Sequence, residues 1–193
     1  HHRVKNNLQI VISLLRLHKN ELKTEESKHH FQEAINRIMV MSLIHKKLYQ
    51  DNLLAEIKIK DYLVDLTNDI SKLSTLPIPI EVNVTSNIER VGLKTIVPLG
   101  LIINELMSNS IEHAFHNRSE AKIHISIKSL SENAFELMYY DNGYWSDQNE
   151  EYVSFGLELI EILTSQLEGT MNKSNSPEGT SYTFNLKDLD IEN

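Results

Sequence analysis

The chain has 193 residues, 40% hydrophobic and 24% charged, which is enough apolar material to core one medium domain or two small ones. It contains no cysteine, which excludes disulfides and thiolate metal sites and fits a cytoplasmic module. A formal net charge of −8 argues against nucleic acid as a partner, because a phosphate backbone selects basic surfaces.

The first segment opens on His1-His-Arg-Val-Lys-Asn-Asn-Leu-Gln9 and continues with Val4, Leu8, Val11, Leu15 and Leu22 at alternating four- and three-residue steps, His18 completing the series. That is a heptad seam. After a polar stretch from Lys19 to Lys28 the pattern resumes at Phe31, Ile35, Ile38, Met41, Ile44 and Leu48. Two apolar-striped helices joined by a polar turn predict an antiparallel hairpin. Two helices bury little, so the hairpin is expected to pair with a second copy in a four-helix bundle; the other arrangement packs it only on the chain's own second domain. The boundary falls near Asn52 to Lys58, giving domains 1–55 and 56–193.

Residues Lys60 to Thr75 read as a helix with Tyr62, Leu63, Leu66 and Ile70 on one side, ended by Pro77 and Pro79. Ile80, Val82 and Val84 alternate as in a half-buried strand, as do Ile123, Ile125 and Ile127, then Phe135, Leu137 and Tyr139, and finally Tyr182, Phe184 and Leu186. Between them lie a helix over about 96–115 and another near 155–168 with Leu159, Ile160, Ile162 and Leu163. The whole reads as an α+β chain: a helical hairpin, then an α/β sandwich with helices on one face of a mixed sheet.

The helix Leu99-Gly-Leu-Ile-Ile-Asn-Glu-Leu-Met-Ser-Asn-Ser-Ile-Glu-His-Ala-Phe115 holds Glu105 and Asn109 four residues apart, one above the other on one face. Their apolar neighbours bury much of that helix, and a buried polar group without a partner costs roughly 1–3 kcal/mol. Hydrated metal with phosphate is one partner that suits a carboxylate and a carboxamide. Asp141-Asn-Gly143, Ser154-Phe-Gly-Leu157 and Glu178-Gly-Thr180 follow in that order. Taken alone, Asp141-Asn-Gly143 is equally a tight turn ending a strand, Gly156 a plain helix start and Gly179-Thr180 a simple turn. His113 and His116 have the spacing of a metal pair, without the cysteine or clustered acidic partners that a zinc site needs.

This ordered set resembles a sensor histidine kinase core, of the subfamily whose phosphoacceptor box reads H-H-R-V-K-N-N-L-Q, coupled to a GHKL-type ATP-binding domain. The resemblance runs over nearly the whole chain, and the first box matches at all nine positions. It implies an ATP-dependent protein-histidine kinase that autophosphorylates His2, the histidine immediately before Arg3-Val-Lys-Asn, and passes the phosphoryl group to an aspartate on a response-regulator receiver domain. It implies Mg²⁺ and phosphates at Asn109, a water-orienting or polarising role for Glu105, a lesser part for Asn104 and phosphate contact for His113. It also implies that Asp141 accepts a hydrogen bond from the adenine amino group, that Gly143 allows close approach to the base, that Gly156 and Leu157 open a phosphate-facing helix, and that Gly179 and Thr180 lie near the nucleotide. Tyr144 to Val153 is the expected lid.

Three positions depart from the family pattern: Trp145 stands where a second glycine is usual, Glu112 where a basic residue is common, and a single Gly156 where a pair is often found. The alternative function is therefore a catalytically weak or dead nucleotide-binding dimeric scaffold. Because the chain opens on the motif itself, it reads as a fragment whose upstream sensor or anchor lies outside it. No apolar run approaches the ~20 residues that span a bilayer and no signal peptide is visible, so no membrane contact is expected of these residues.

Overall fold

The computed structural model describes residues 2–50, 57–74, 76–116, 118–144 and 155–191, with side chains throughout except at 2–6, 26, 29, 33, 43–50 and 155. His1 and the segment holding Trp145 and Ser154 lie outside the described residues, as do the side chains of His2, Arg3, Val4, Lys5, Ile44 and Leu48. The chain divides into two compact units, 1–54 and 55–193.

The first unit is two helices, α1 (His2–Glu21) and α2 (Glu25–Gln50). Thr24 starts α2: its Oγ1 accepts the Ser27 amide at 3.2 Å, meeting one of the donors that a helix start leaves open. Lys19 Nζ donates to Gln32 Oε1 at 2.7 Å, and Arg16 reaches Met39 Sδ at 3.9 Å. Partners that descend on α1 as they ascend on α2 make the pair antiparallel.

The seam between the helices differs from the expected one. Leu8, Ile12, Leu15, Lys19 and Leu22 are half-buried, whereas Val11 is 41% exposed and His18 is exposed. Helix α1 carries apolar residues on more than one stripe, so two heptad registers compete, and the one that places Lys19 beside Gln32 is adopted. Ile10, Leu14 and Leu17 form a second stripe, 59%, 52% and 64% exposed.

The second unit is built on a five-stranded sheet, β2 (Ile80–Ser86), β4 (Ala121–Ser129), β5 (Ala134–Asp141), β7 (Gly179–Lys187) and β6 (Thr170–Ser176), in that spatial order. The β2–β4 pair is parallel and the others are antiparallel, so the sheet is mixed. A separate two-stranded ribbon joins β1 (Ile57–Lys58) to β3 (Arg90–Val91). Three helices accompany the sheet: α3 (Ile59–Lys72), α4 (Leu93–Asn109) and α5 (Phe155–Gln166), with α4 packed against both others. Strand alternation sends Val84, Ile123, Ile125, Ile127, Phe135, Leu137, Tyr139, Phe184 and Leu186 into the core. Each such fully buried side chain is worth roughly 1.5–3 kcal/mol.

Three local details correct the sequence reading. Helix α3 stops at Lys72, with Leu73 as its last half-helical residue, so Pro77 and Pro79 lie in the connection and do not end it. Strand β6 was not expected, because Thr170 to Ser176 is almost wholly polar and exposed and owes its existence to pairing with β7. The helix expected over 96–115 starts earlier, at Leu93, and after Asn109 widens into a π turn, Ser110–Ala114.

Candidate functional site

Helix α4 is buried along most of its length, and its polar residues cluster in its last turns. Asn104 and Glu105 are 3% and 2% exposed, and the Asn104 carboxamide donates to Glu105 Oε1 at 3.2 Å. One turn further, Asn109 is buried and its Nδ2 has no hydrogen-bond partner. The π turn begins at the next residue, a feature frequent at functional sites. His113 lies in that turn with its side chain 52% exposed and its Nε2 3.9 Å from Glu112 Oε2.

The end of β5 meets this turn. Asp141 is 1% exposed; its Oδ1 accepts the Gly143 amide at 2.9 Å, and its Oδ2 accepts the Ser110 hydroxyl at 2.7 Å. Ser110 Oγ also lies 2.8 Å from the Tyr139 hydroxyl, and 3.0 Å from the Leu106 carbonyl. Burial pushes the Asp141 carboxyl above its ordinary range; Ser110, the backbones of Gly143 and Thr180, and the charge of Arg118 pull the other way. Tyr139 is driven well up by burial and by the Asp141 charge, and Tyr182 is pushed up to about 12 for the same two reasons.

Two glycines are required by close approach. A Cβ at Gly143 would collide with the Ala114 side chain and fall 2.8 Å from its carbonyl oxygen, so only glycine lets the segment after β5 press on the π turn; Tyr144 N then donates to Ala114 O at 2.9 Å. A Cβ at Gly179 would strike the Asp141 carbonyl and the Tyr140 ring. Thr180, opposite Asp141 in the β5–β7 register, is fully buried and donates from Oγ1 to Asn175 Oδ1 at 2.9 Å.

Asp141, Gly143, Gly179 and Thr180 thus come together, and Ser110 joins them to the end of α4 that carries Asn109. Gly156 and Leu157 lie in the first turn of α5, which packs on α4. His2 lies on α1, in the other unit. Sequence reasoning missed Ser110, Tyr139, Tyr182 and Arg118, whose Nη2 donates to the Pro177 carbonyl at 2.7 Å in the turn before Gly179. The signals available were the serine directly after Asn109 and the tyrosine pair directly before Asp141.

The donor set fits a nucleotide with Mg²⁺. The ion takes oxygen ligands and keeps several waters, and Asn109 and Glu105 supply a carboxamide and a carboxylate one turn apart. The orphaned Asn109 Nδ2 is a buried polar group lacking the partner that a bound phosphate would provide.

Comparison with known proteins bears on the whole chain. Residues 1–74 match a family model described as histidine kinase. Sensor histidine kinase PdtaS of Mycolicibacterium smegmatis is 30% identical over 186 residues, which cover 93% of this chain and 36% of that protein. Blue-light-activated histidine kinase 2 of Erythrobacter litoralis is 20% identical over 194 residues, 96% of this chain and 55% of that one. The chain therefore spans only part of the length of these relatives. The solved histidine kinase domain of the Erythrobacter litoralis EL346 blue-light activated histidine kinase superposes with a TM-score of 0.67 at 16% identity, covering 94% of this chain and 95% of that one, which shows a shared fold. The chain is thus similar to part of known sensor histidine kinases, its first 74 residues matching the family model. Among the described residues no helix is long and apolar enough to cross a membrane.

Proposed function

We propose that the chain is the kinase core of a two-component sensor: it autophosphorylates His2 from ATP and passes the phosphoryl group to an aspartate of a response-regulator receiver domain. The observation that carries this reading is the buried Asp141, bound to Gly143 N and Ser110, at the strand end next to the helix that ends in Asn109. Residues 1–55 act as the dimerisation and phosphoacceptor hairpin and residues 56–193 as the ATP-binding domain. The exposed Ile10, Leu14 and Leu17 stripe supports pairing of two hairpins in a four-helix bundle.

Asp141 accepts from the adenine amino group. A carboxylate has about four lone-pair sites, and donors from Ser110, Gly143 and Thr180 leave room for one more. Asn109 would hold Mg²⁺ and phosphate, with Glu105 orienting water and Asn104 fixing the Glu105 carboxylate. When bound, the ion would supply positive charge that offsets the charge on the phosphate oxygens. His113 contacts phosphate from its exposed side, Gly156 and Leu157 present the amides of the first turn of α5, and Gly179 and Thr180 line the base end. A neutral ring nitrogen of His2 attacks the γ-phosphorus, the bond to the β,γ-bridging oxygen breaks, ADP departs, and the imidazole proton is released to solvent or base.

The test is incubation with Mg-ATP labelled at the γ-phosphate. Label that is lost in acid and kept in alkali supports the kinase. Mg-ATP binding without any label supports the nucleotide-binding scaffold instead.

A further inference from the structure

Beneath Asp141 lies a run of hydroxyls that adenine binding does not by itself require. Ser110 carries one hydroxyl proton and has three oxygens within reach: Leu106 O at 3.0 Å, the Tyr139 hydroxyl at 2.8 Å and Asp141 Oδ2 at 2.7 Å. The carboxylate is both charged and nearest, so it takes the proton. The Tyr139 hydroxyl then donates to Ser110 Oγ, which leaves the Leu106 contact without a proton. Tyr139 and Ser110 are 0% and 1% exposed, so water does not compete for either link.

We infer that Tyr139 and Ser110 are specificity-determining residues: they direct a hydroxyl proton onto Asp141 Oδ2 and so hold the carboxylate as an acceptor, which selects a 6-amino purine over a 6-oxo purine. The inference rests on the adenine role of Asp141 proposed above. An ionised Asp141 accepts from an amino group and repels a carbonyl. A protonated Asp141 reverses the chain: its proton goes to Ser110 or to a 6-oxo group, and Ser110 turns toward Leu106. The relay therefore opposes the burial that would otherwise protonate the acid.

The groups facing Asp141 come from each element around it. They are Ser110 from the π turn, Tyr139 from its own strand, Thr180 and Tyr182 from β7, Gly143 from the following turn, and Arg118 from the segment before β4. Of these Arg118 alone carries charge at neutral pH. Ser110, the backbones of Gly143 and Thr180 and the charge of Arg118 all draw the carboxyl toward its charged form.

Two variants of the full chain test this, Ser110→Ala and Tyr139→Phe, with two readouts. Carbon NMR of the nucleotide-free protein follows the Asp141 titration, and calorimetry measures Mg-ATP and Mg-GTP affinities between pH 5 and pH 8. In Ser110→Ala the titration midpoint should rise by about one unit, and the ATP:GTP affinity ratio near the midpoint should fall roughly tenfold, one pKa unit corresponding to that factor. Tyr139→Phe keeps the ring packing and should move both readouts the same way by less. A merely structural role would lower stability and leave the ratio and the titration in place. An unchanged titration in both variants overturns the relay. A shifted titration with an unchanged ratio overturns the specificity role while leaving ATP binding intact. A wild-type chain that binds neither nucleotide overturns the inference together with the reading beneath it.

Discussion

Asp190 closes the N-terminus of α4 onto Thr95 from 95 residues away, its Oδ2 accepting the Thr95 amide at 3.1 Å while Oδ1 accepts the Lys94 amide at 3.2 Å. The link is doubled, because the Thr95 hydroxyl donates to Asp188 Oδ1 at 2.8 Å and accepts the Leu189 amide at 2.9 Å. The helix needs this help: Gly92 at its start has no side chain to cap with, and a Cβ there would collide with the Asp190 carboxylate. Asp190→Ala should cost about 1–2 kcal/mol, the scale of a lost helix cap, and Asp190→Asn, which keeps one acceptor oxygen for the two amides, should recover only part of it. Denaturant titration measures both. An Asp190→Ala chain that unfolds at the wild-type midpoint removes the cap from the account.

Asp141 should make stability depend on pH. Its folded pKa is raised by burial above the ordinary 3.8, so the folded state holds its proton more tightly than the unfolded chain. Where the unfolded state binds fewer protons, stability falls as pH rises. The loss from this group begins near pH 3.8 and is complete above the raised folded value. Asp141→Asn keeps the shape and should be at least as stable as wild type at pH 7, while losing ATP affinity. Thermal melts across pH check the first point, and a variant clearly less stable than wild type at pH 7 contradicts it.

Asn109 separates binding from folding. Its Nδ2 is buried without a partner, so removing it discards an unsatisfied group. Asn109→Ala should stay within about 1 kcal/mol of wild-type stability. It should lose the metal-dependent part of ATP affinity by at least roughly tenfold, about 1.4 kcal/mol. Calorimetry with and without Mg²⁺ measures this, and wild-type metal dependence in the variant would remove Asn109 from the site.

The two stripes of α1 make separate predictions. Ile10, Leu14 and Leu17 are exposed, so Leu14→Glu with Leu17→Glu should abolish the proposed pairing of two hairpins and leave helix content unchanged. Leu15 is half-buried in the intramolecular seam, so Leu15→Glu should instead melt the hairpin. Light scattering with circular dichroism distinguishes them. An unmutated chain that is monomeric at high micromolar concentration contradicts the bundle.

Alternation made four of the strands legible, because Ile123 to Ile127, Phe135 to Tyr139 and their counterparts in β2 and β7 each keep one face in the core. Strand β6 was hidden because Thr170 to Ser176 has no apolar face, and only its pairing with β7 makes it a strand. In α1 the residues were read correctly as helical, but Val11 and Ile12 are both apolar, and the choice between their registers depends on the partner helix. Asp141 and Asn109 were legible as motif residues. The role of Ser110 was not, because its contacts to Tyr139 and Asp141 cross 29 and 31 residues and follow from the π turn. No local propensity announces that turn.

Phosphorylation of His2 is tested by comparing His2→Gln with His1→Gln in the same chain. Consecutive residues of an α-helix point about 100° apart, so one γ-phosphate can meet only one of two adjacent histidines on a helix. After incubation with labelled Mg-ATP, His1→Gln should retain acid-labile, alkali-stable label, whereas His2→Gln should lose it and still bind ATP with wild-type affinity. Label that survives in His2→Gln contradicts the assignment.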